Sequence, residues 1–117
     1  MDKNELSEFC KRWLAAWTGN RPEELVAFYA PDAYYQDPAK PDGLRGRDAL
    51  LAYLRKLLAV NPDWVWEPVE VLPTAEGCCL KWRATIPSGD KTVTATGLDI
   101  VEIVDGLITR NEVYFDA

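Results

Sequence analysis

Two carboxylates stand where an acid–base pair could work. Asp37 closes the stretch YYQDP, after two tyrosines and directly before a proline, and Asp99 lies inside the largely apolar run GLDIVEIV. The chain has no histidine, which removes Ser-His-Asp and Cys-His nucleophilic schemes together with the commonest transition-metal ligand. Chemistry would have to run on carboxylates, tyrosines, lysines, backbone groups or solvent. A partly desolvated carboxylate is a stronger base than one in water, and a deeply buried one can stay protonated and donate a hydrogen bond. One of each could take a proton from a carbon next to a carbonyl and steady the oxyanion that develops. Each also has a plain structural reading. Asp-Pro is a common turn element, and Asp99 is an ordinary surface carboxylate if its face of the strand is solvated.

The elements that must position these groups are legible in the periodicity. Leu6, Phe9, Cys10, Trp13, Leu14 and Trp17 recur at helical spacing. Asp2 serves as N-cap with Glu5 three residues on, and Gly19 serves as the stop. A second helix is expected from Pro22, with Glu23 and Glu24 at its positive end and Leu25, Phe28 and Tyr29 as its apolar side, closed by Ala30-Pro31. AYYQ reads as a brief strand and DPAKPDGLRG, with two prolines and two glycines, as a loop. A third helix is expected over Arg47 to Val60, burying Leu50, Leu51, Leu54, Leu57 and Leu58. Everything after it alternates with period two in four runs, WVWEPVEVL, CCLKWRATI, TVTATGLDIVEIV and LITRNEVYF. PSGD and VDG are the turns joining the last three, and Pro68 marks an edge strand or a bulge. This order predicts an α+β fold in which a curved antiparallel sheet packs on three N-terminal helices.

Strand parity then sorts the side chains. Cys78, Leu80, Trp82, Ala84 and Ile86 share the inward face, with Lys81, Arg83 and Thr85 outward. Asp99 falls on the apolar face with Val93, Ala95, Gly97, Val101 and Ile103. Tyr35 shares a face with Asp37, and Asn111 with Val113 and Phe115. If these faces meet the helix carrying Trp13 and Trp17, they enclose an aromatic cavity holding two carboxyls, the default place for a small apolar ligand. The opposite face, with Leu98, Ile100 and Val104, is the surface through which two copies would pair as a homodimer.

Composition narrows the classes. With 117 residues the expectation is one domain over residues 1–117, long enough to bury roughly two-thirds of its unfolded surface. No apolar run approaches the ~20 residues of a membrane span. MDKNELSEF has no basic start followed by an apolar block, so the cytoplasm is the expected compartment. A net charge of -6 spread along the chain argues against a nucleic-acid partner. Cys10, Cys78 and Cys79 form neither a disulfide framework nor a zinc spacing, and no glycine-rich phosphate loop is present. No metal and no cofactor are expected.

The helix-first order together with FYAPDAYYQDP, GLRGRDALLAYL, GLDIVEIVDGLI and EVYFD resembles the nuclear transport factor 2-like superfamily, in its SnoaL-like polyketide cyclase and ketosteroid isomerase branch. The resemblance spans nearly the whole chain. It implies a cone-shaped fold around a deep hydrophobic pocket, commonly in homodimers. In ketosteroid isomerases the base is the aspartate before a proline, which corresponds to Asp37, and a neutral aspartate in the long penultimate strand corresponds to Asp99. The isomerase tyrosine on the first helix falls at Trp13, a supporting tyrosine at Tyr29, and another at Leu54, beside Tyr53. Parity and the resemblance together give an expected ligand-binding site of Trp13, Trp17, Tyr29, Tyr35, Leu54, Trp82, Asn111, Val113 and Phe115 around two carboxyls that the resemblance implies are catalytic. The function implied is cofactor-free isomerase or cyclase chemistry on an apolar, ring-bearing carbonyl compound. The alternative is a non-catalytic ligand-binding or dimerisation module of the same fold.

Overall fold

In the computed structural model, which describes residues 1–115, the order is α1 (Lys3–Ala15), α2 (Pro22–Val26), β1 (Tyr29–Asp37), β2 (Lys40–Arg45), α3 (Arg47–Val60), β3 (Val65–Pro73), β4 (Gly77–Ser88), β5 (Lys91–Val104) and β6 (Leu107–Tyr114). Asp116 of the closing EVYFD run lies outside the described residues. No described helix is long and apolar enough to cross a membrane.

Helix α1 begins at the expected capping box. The Glu5 backbone N–H donates to Asp2 Oδ1 at 2.8 Å, and the Asp2 N–H donates back to Glu5 Oε1 at 3.0 Å. Two otherwise orphaned donors are satisfied this way. Helix α3 has the predicted bounds, and its Leu50, Leu54 and Leu58 are fully buried, while Leu51 and Leu57 are half-buried on the flanks of that stripe. The meander also follows the sequence. Asp105 and Gly106 both adopt positive φ, 53° and 80°, between Val104 and Leu107, the backbone of a tight hairpin turn whose twist matches the strands. Pro68 lies in the edge strand β3, and the register with β4 shifts between Pro68 and Glu70, so it sits on an edge and at a bulge together.

Three expectations are corrected. The second helix ends at Val26, and Tyr29 begins β1 instead of finishing α2. The stretch expected as a loop contains a strand, because DPAKPDGLRG doubles back through β2 to pair with β1, Tyr35 opposite Leu44 and Asp37 opposite Lys40. Strand β2 is an edge strand, where Pro41 removes no needed ladder donor. The sheet is mixed rather than antiparallel. Its order is β2-β1-β6-β5-β4-β3, and β1 runs parallel to β6, with Tyr35 beside Asn111. The final strand enters between β1 and β5, so the first and last parts of the sheet meet in its interior.

Three helices therefore pack on a curved, unclosed six-stranded sheet. Helix α1 lies against β3 and β4, and α3 lies against β1 and β2. The two leave a gap over the middle of the sheet, and the inward side chains of β1, β4, β5 and β6 look into it. Behind α1, the buried thiols of Cys10 and Cys78 sit with their sulfurs 3.8 Å apart, unbridged, as part of the core.

Trp82 reaches its place in this gap because its partner across the ladder is Gly97. A Cβ on Gly97 would overlap the Trp82 ring and come within 2.7 Å of the Tyr114 carbonyl oxygen. We expect Gly97→Ala to cost about 1–3 kcal/mol through overpacking, read as a lower urea midpoint with an unchanged slope and accompanied by a shift in tryptophan emission. Wild-type stability and emission would show that the indole has room the structure does not give it.

Candidate functional site

The gap is a cavity of about 200 Å³. Leu14 comes to it from α1, Trp17 from the turn just after that helix, which ends earlier than its apolar stripe, and Tyr53 and Leu57 from α3. The sheet contributes Tyr35 and Asp37 of β1, Trp66 of β3, Trp82 of β4, Asp99 of β5 and Val113 of β6. Ala39, Trp64 and Phe115 complete the wall. Neither lysine nor arginine is among these side chains, and the two carboxyls are the groups able to ionise near neutral pH. The parity reading placed Asp37 and Asp99 inward, and they are 8% and 3% exposed respectively.

Asp37 is both a turn residue and a cavity residue. Its Oδ1 accepts the backbone N–H groups of Ala39 and Lys40, both at 2.9 Å, which is how the carboxyl closes the β1–β2 turn. Its Oδ2 accepts the hydroxyls of Tyr35 at 2.7 Å and Tyr53 at 2.6 Å. Four donors and no acceptor make an environment suited to a carboxylate. The phenols respond in turn. Burial first, with the Asp37 charge and hydrogen bond adding to it, pushes both Tyr35 and Tyr53 above the usual range.

Asp99 is held differently. Trp82 Nε1 donates to Oδ1 at 2.7 Å and Asn111 Nδ2 donates to Oδ2 at 3.0 Å. Asn111 is fixed from behind, accepting the Tyr29 hydroxyl at its Oδ1, 2.8 Å away. Two hydrogen bonds do not offset the loss of water. Burial pushes the Asp99 carboxyl up to about 7, with the Asp37 charge adding to the rise and the bonds from Asn111 and Trp82 opposing it.

The positions expected to touch a ligand divide into two groups. Trp17, Tyr35, Trp82, Val113 and Phe115 line the cavity with the two carboxyls. Trp13, Tyr29, Leu54 and Asn111 do not, since all four are fully buried behind the wall. The Trp13 ring packs edge-on to Tyr29 at 6.4 Å, and its indole N–H has no partner among the described residues. Trp13 therefore offers the cavity no donor, and the indole that reaches a carboxyl is that of Trp82, donating to Asp99. Leu14, Ala39, Tyr53, Leu57, Trp64 and Trp66 line the cavity without having been expected there. A signal existed for two of them. Tyr53 lies three residues after Leu50 on the apolar side of α3, and Trp66 pairs with Ala84, which shares Trp82's inward parity.

Because Asp99's carboxyl is raised in the fold, the native state binds more protons than the unfolded chain between about pH 4 and about pH 7. Stability contributed by the protonated group is complete below the unfolded value and is lost as pH climbs through the folded one. The full difference is about 4 kcal/mol. We expect urea unfolding across this window to show stability falling with pH and levelling above it, and Asp99→Asn to remove most of the slope. An identical slope in the variant would mean that Asp99 is ionised throughout.

Comparison with known proteins adds relatives to this geometry. A profile described as SnoaL-like domain matches residues 10–111. A protein of Nocardioides simplex named steroid delta-isomerase is 29% identical over 112 residues, spanning 95% of this chain and 89% of its own. Among solved structures, a protein of Catenulispora acidiphila with a ketosteroid isomerase-like fold, crystallised with trimethylamine, aligns with a TM-score of 0.80 at 19% identity over 93% of this chain and 85% of that one. TerC, co-crystallised with polyporic acid, gives 0.77 at 18% identity over 95% and 91%. AclR of Streptomyces galilaeus, a hydroxylase by its description, gives 0.77 at 15% over 98% and 91%. With the profile covering most of its length, the chain belongs to the SnoaL-like domain family, and its fold is the ketosteroid isomerase-like fold of its structural neighbours.

Proposed function

We propose that the protein binds a small, largely apolar, ring-bearing carbonyl compound in this cavity and moves a proton on it without a cofactor, as an isomerase or cyclase does. The observation that carries this reading is the pairing of two carboxyls in one cavity with different surroundings. Asp37 accepts four hydrogen bonds at a turn, whereas Asp99 accepts two inside the sheet and burial raises its carboxyl to about 7. Groups held in such different states are the pattern of an acid and a base. Asp37 would take the proton next to the carbonyl, and protonated Asp99 would donate a hydrogen bond to the oxygen as charge develops there. The steroid delta-isomerase relative supports the same class of chemistry.

One observation favours the second reading, a ligand-binding module without turnover. All four hydrogen bonds to Asp37 come from the protein itself, so a substrate C–H must displace one of them before the carboxylate can act. The test is exchange of the acidic C–H of cyclic ketones in heavy water, followed by proton NMR. Turnover predicts exchange well above the buffer rate, reduced about 10²–10⁴-fold in Asp37→Asn. Exchange at the buffer rate in the wild type would leave the binding module.

For assembly, we propose a homodimer through the outer sheet face, supported by Leu98 and Val104, which are 44% and 56% exposed there. The neighbouring Arg110 is engaged by Glu112 and Glu102 of the same chain. Replacing Ile100 by Asp should halve the mass seen by light scattering. An unchanged mass would reject this surface.

A further inference from the structure

We propose that the ligand of this cavity carries a trialkylated or quaternary ammonium group, held by an aromatic box and a fixed anion. This rests on the reading that the cavity is a ligand site, and not on whether the ligand turns over.

The first argument is the shape of the wall. Trp66 meets Trp82 at 4.7 Å and 79°, and Trp64 at 5.6 Å and 88°, while Trp82 meets Phe115 at 5.8 Å and 67°. Trp17 adds a further indole, tilted 56° to Trp66. Rings at such angles form corners in the cavity wall. A rounded group with methyls on every side suits a box of this kind. The volume agrees, since about 200 Å³ is below the roughly 300–1,000 Å³ of a drug-sized site.

The second argument is charge. Asp37 is fixed by two phenols and two backbone amides, none of which brings a positive charge. Neither lysine nor arginine lines the cavity among the described residues. Lys81 and Arg83, which flank Trp82 on β4, are exposed on the outer face of the sheet. The four donors stabilise the carboxylate without neutralising it, so inside the cavity it still attracts a cation, and indole and phenol faces attract the same cation through their quadrupoles. An ammonium already rests against one lining ring: that of the exposed Lys40, 5.4 Å from the Tyr53 ring centroid. A neutral apolar ligand would use the rings and leave Asp37 without a counter-charge.

Choline and its neutral isostere, in which a tert-butyl group replaces trimethylammonium, separate the possibilities by calorimetry on the whole protein. A desolvated cation–π site predicts that choline binds at least about tenfold more tightly. Trp66→Leu and Asp37→Asn, each checked by circular dichroism for a wild-type fold, should erase that preference while the isostere binds as before. Equal affinity for the two probes in the wild type would overturn the ammonium and leave the cavity as a neutral-ligand site. Absence of saturable binding by either would overturn the ammonium, and exchange on cyclic ketones above the buffer rate would still leave the cavity a ligand site.

Discussion

A carboxyl on the apolar face of a strand has to be hydrogen-bonded, and Asp99 of β5 imposes that condition on much of the molecule. Its two donors come from the neighbouring strands, Trp82 on β4 and Asn111 on β6. Trp82 can turn its indole to Asp99 only because Gly97 has no side chain beneath it, and Asn111 is oriented only because Tyr29 of β1 reaches it from the far side. Four strands of the sheet are thus tied to a single carboxyl. The net effect is still unfavourable to its charge, which leaves the protonated form as the resting state in mildly acidic solution.

Asp37 is managed by the opposite means. It lies at a strand end, where the chain turns and backbone amides are free to point at it, so no buried partner strand is needed. The two helices divide the remaining work. Helix α1 and the turn after it supply apolar surface through Leu14 and Trp17, and α3 supplies Tyr53, a polar contact to Asp37. The fold therefore places one carboxyl deep in the sheet and one at its margin, and a shared cavity connects them.

Sequence reasoning reached the helices, the meander and the inward parity of Trp82 and Asp99, because those rest on periodicity that local sequence carries. It failed where pairing is long-range or where composition misleads. Pro41 and Gly43 read as loop, yet on an edge strand a proline costs no ladder bond and Gly43 leaves space for the Tyr34 ring. The parallel contact of β1 with β6 has no local signature. At the site, a helical stripe alone cannot say which of two adjacent rows meets the cavity. Trp13 and Leu54 took the row against the core, and Leu14, Trp17, Tyr53 and Leu57 took the row against the open space.

The parallel pairing also orders events in time. The hydrogen bond from Tyr29 to Asn111 joins residues 82 positions apart, and closing so long a loop delays a contact relative to the hairpins that form beside it. The β3–β6 meander can gather through turns of a few residues, and with it comes Asp99. Strand β1 has no parallel neighbour until β6 is available to receive it. Asp99 thus belongs to a locally connected part of the sheet, whereas Asp37 joins it in the cavity only through the longest-range pairing of the fold.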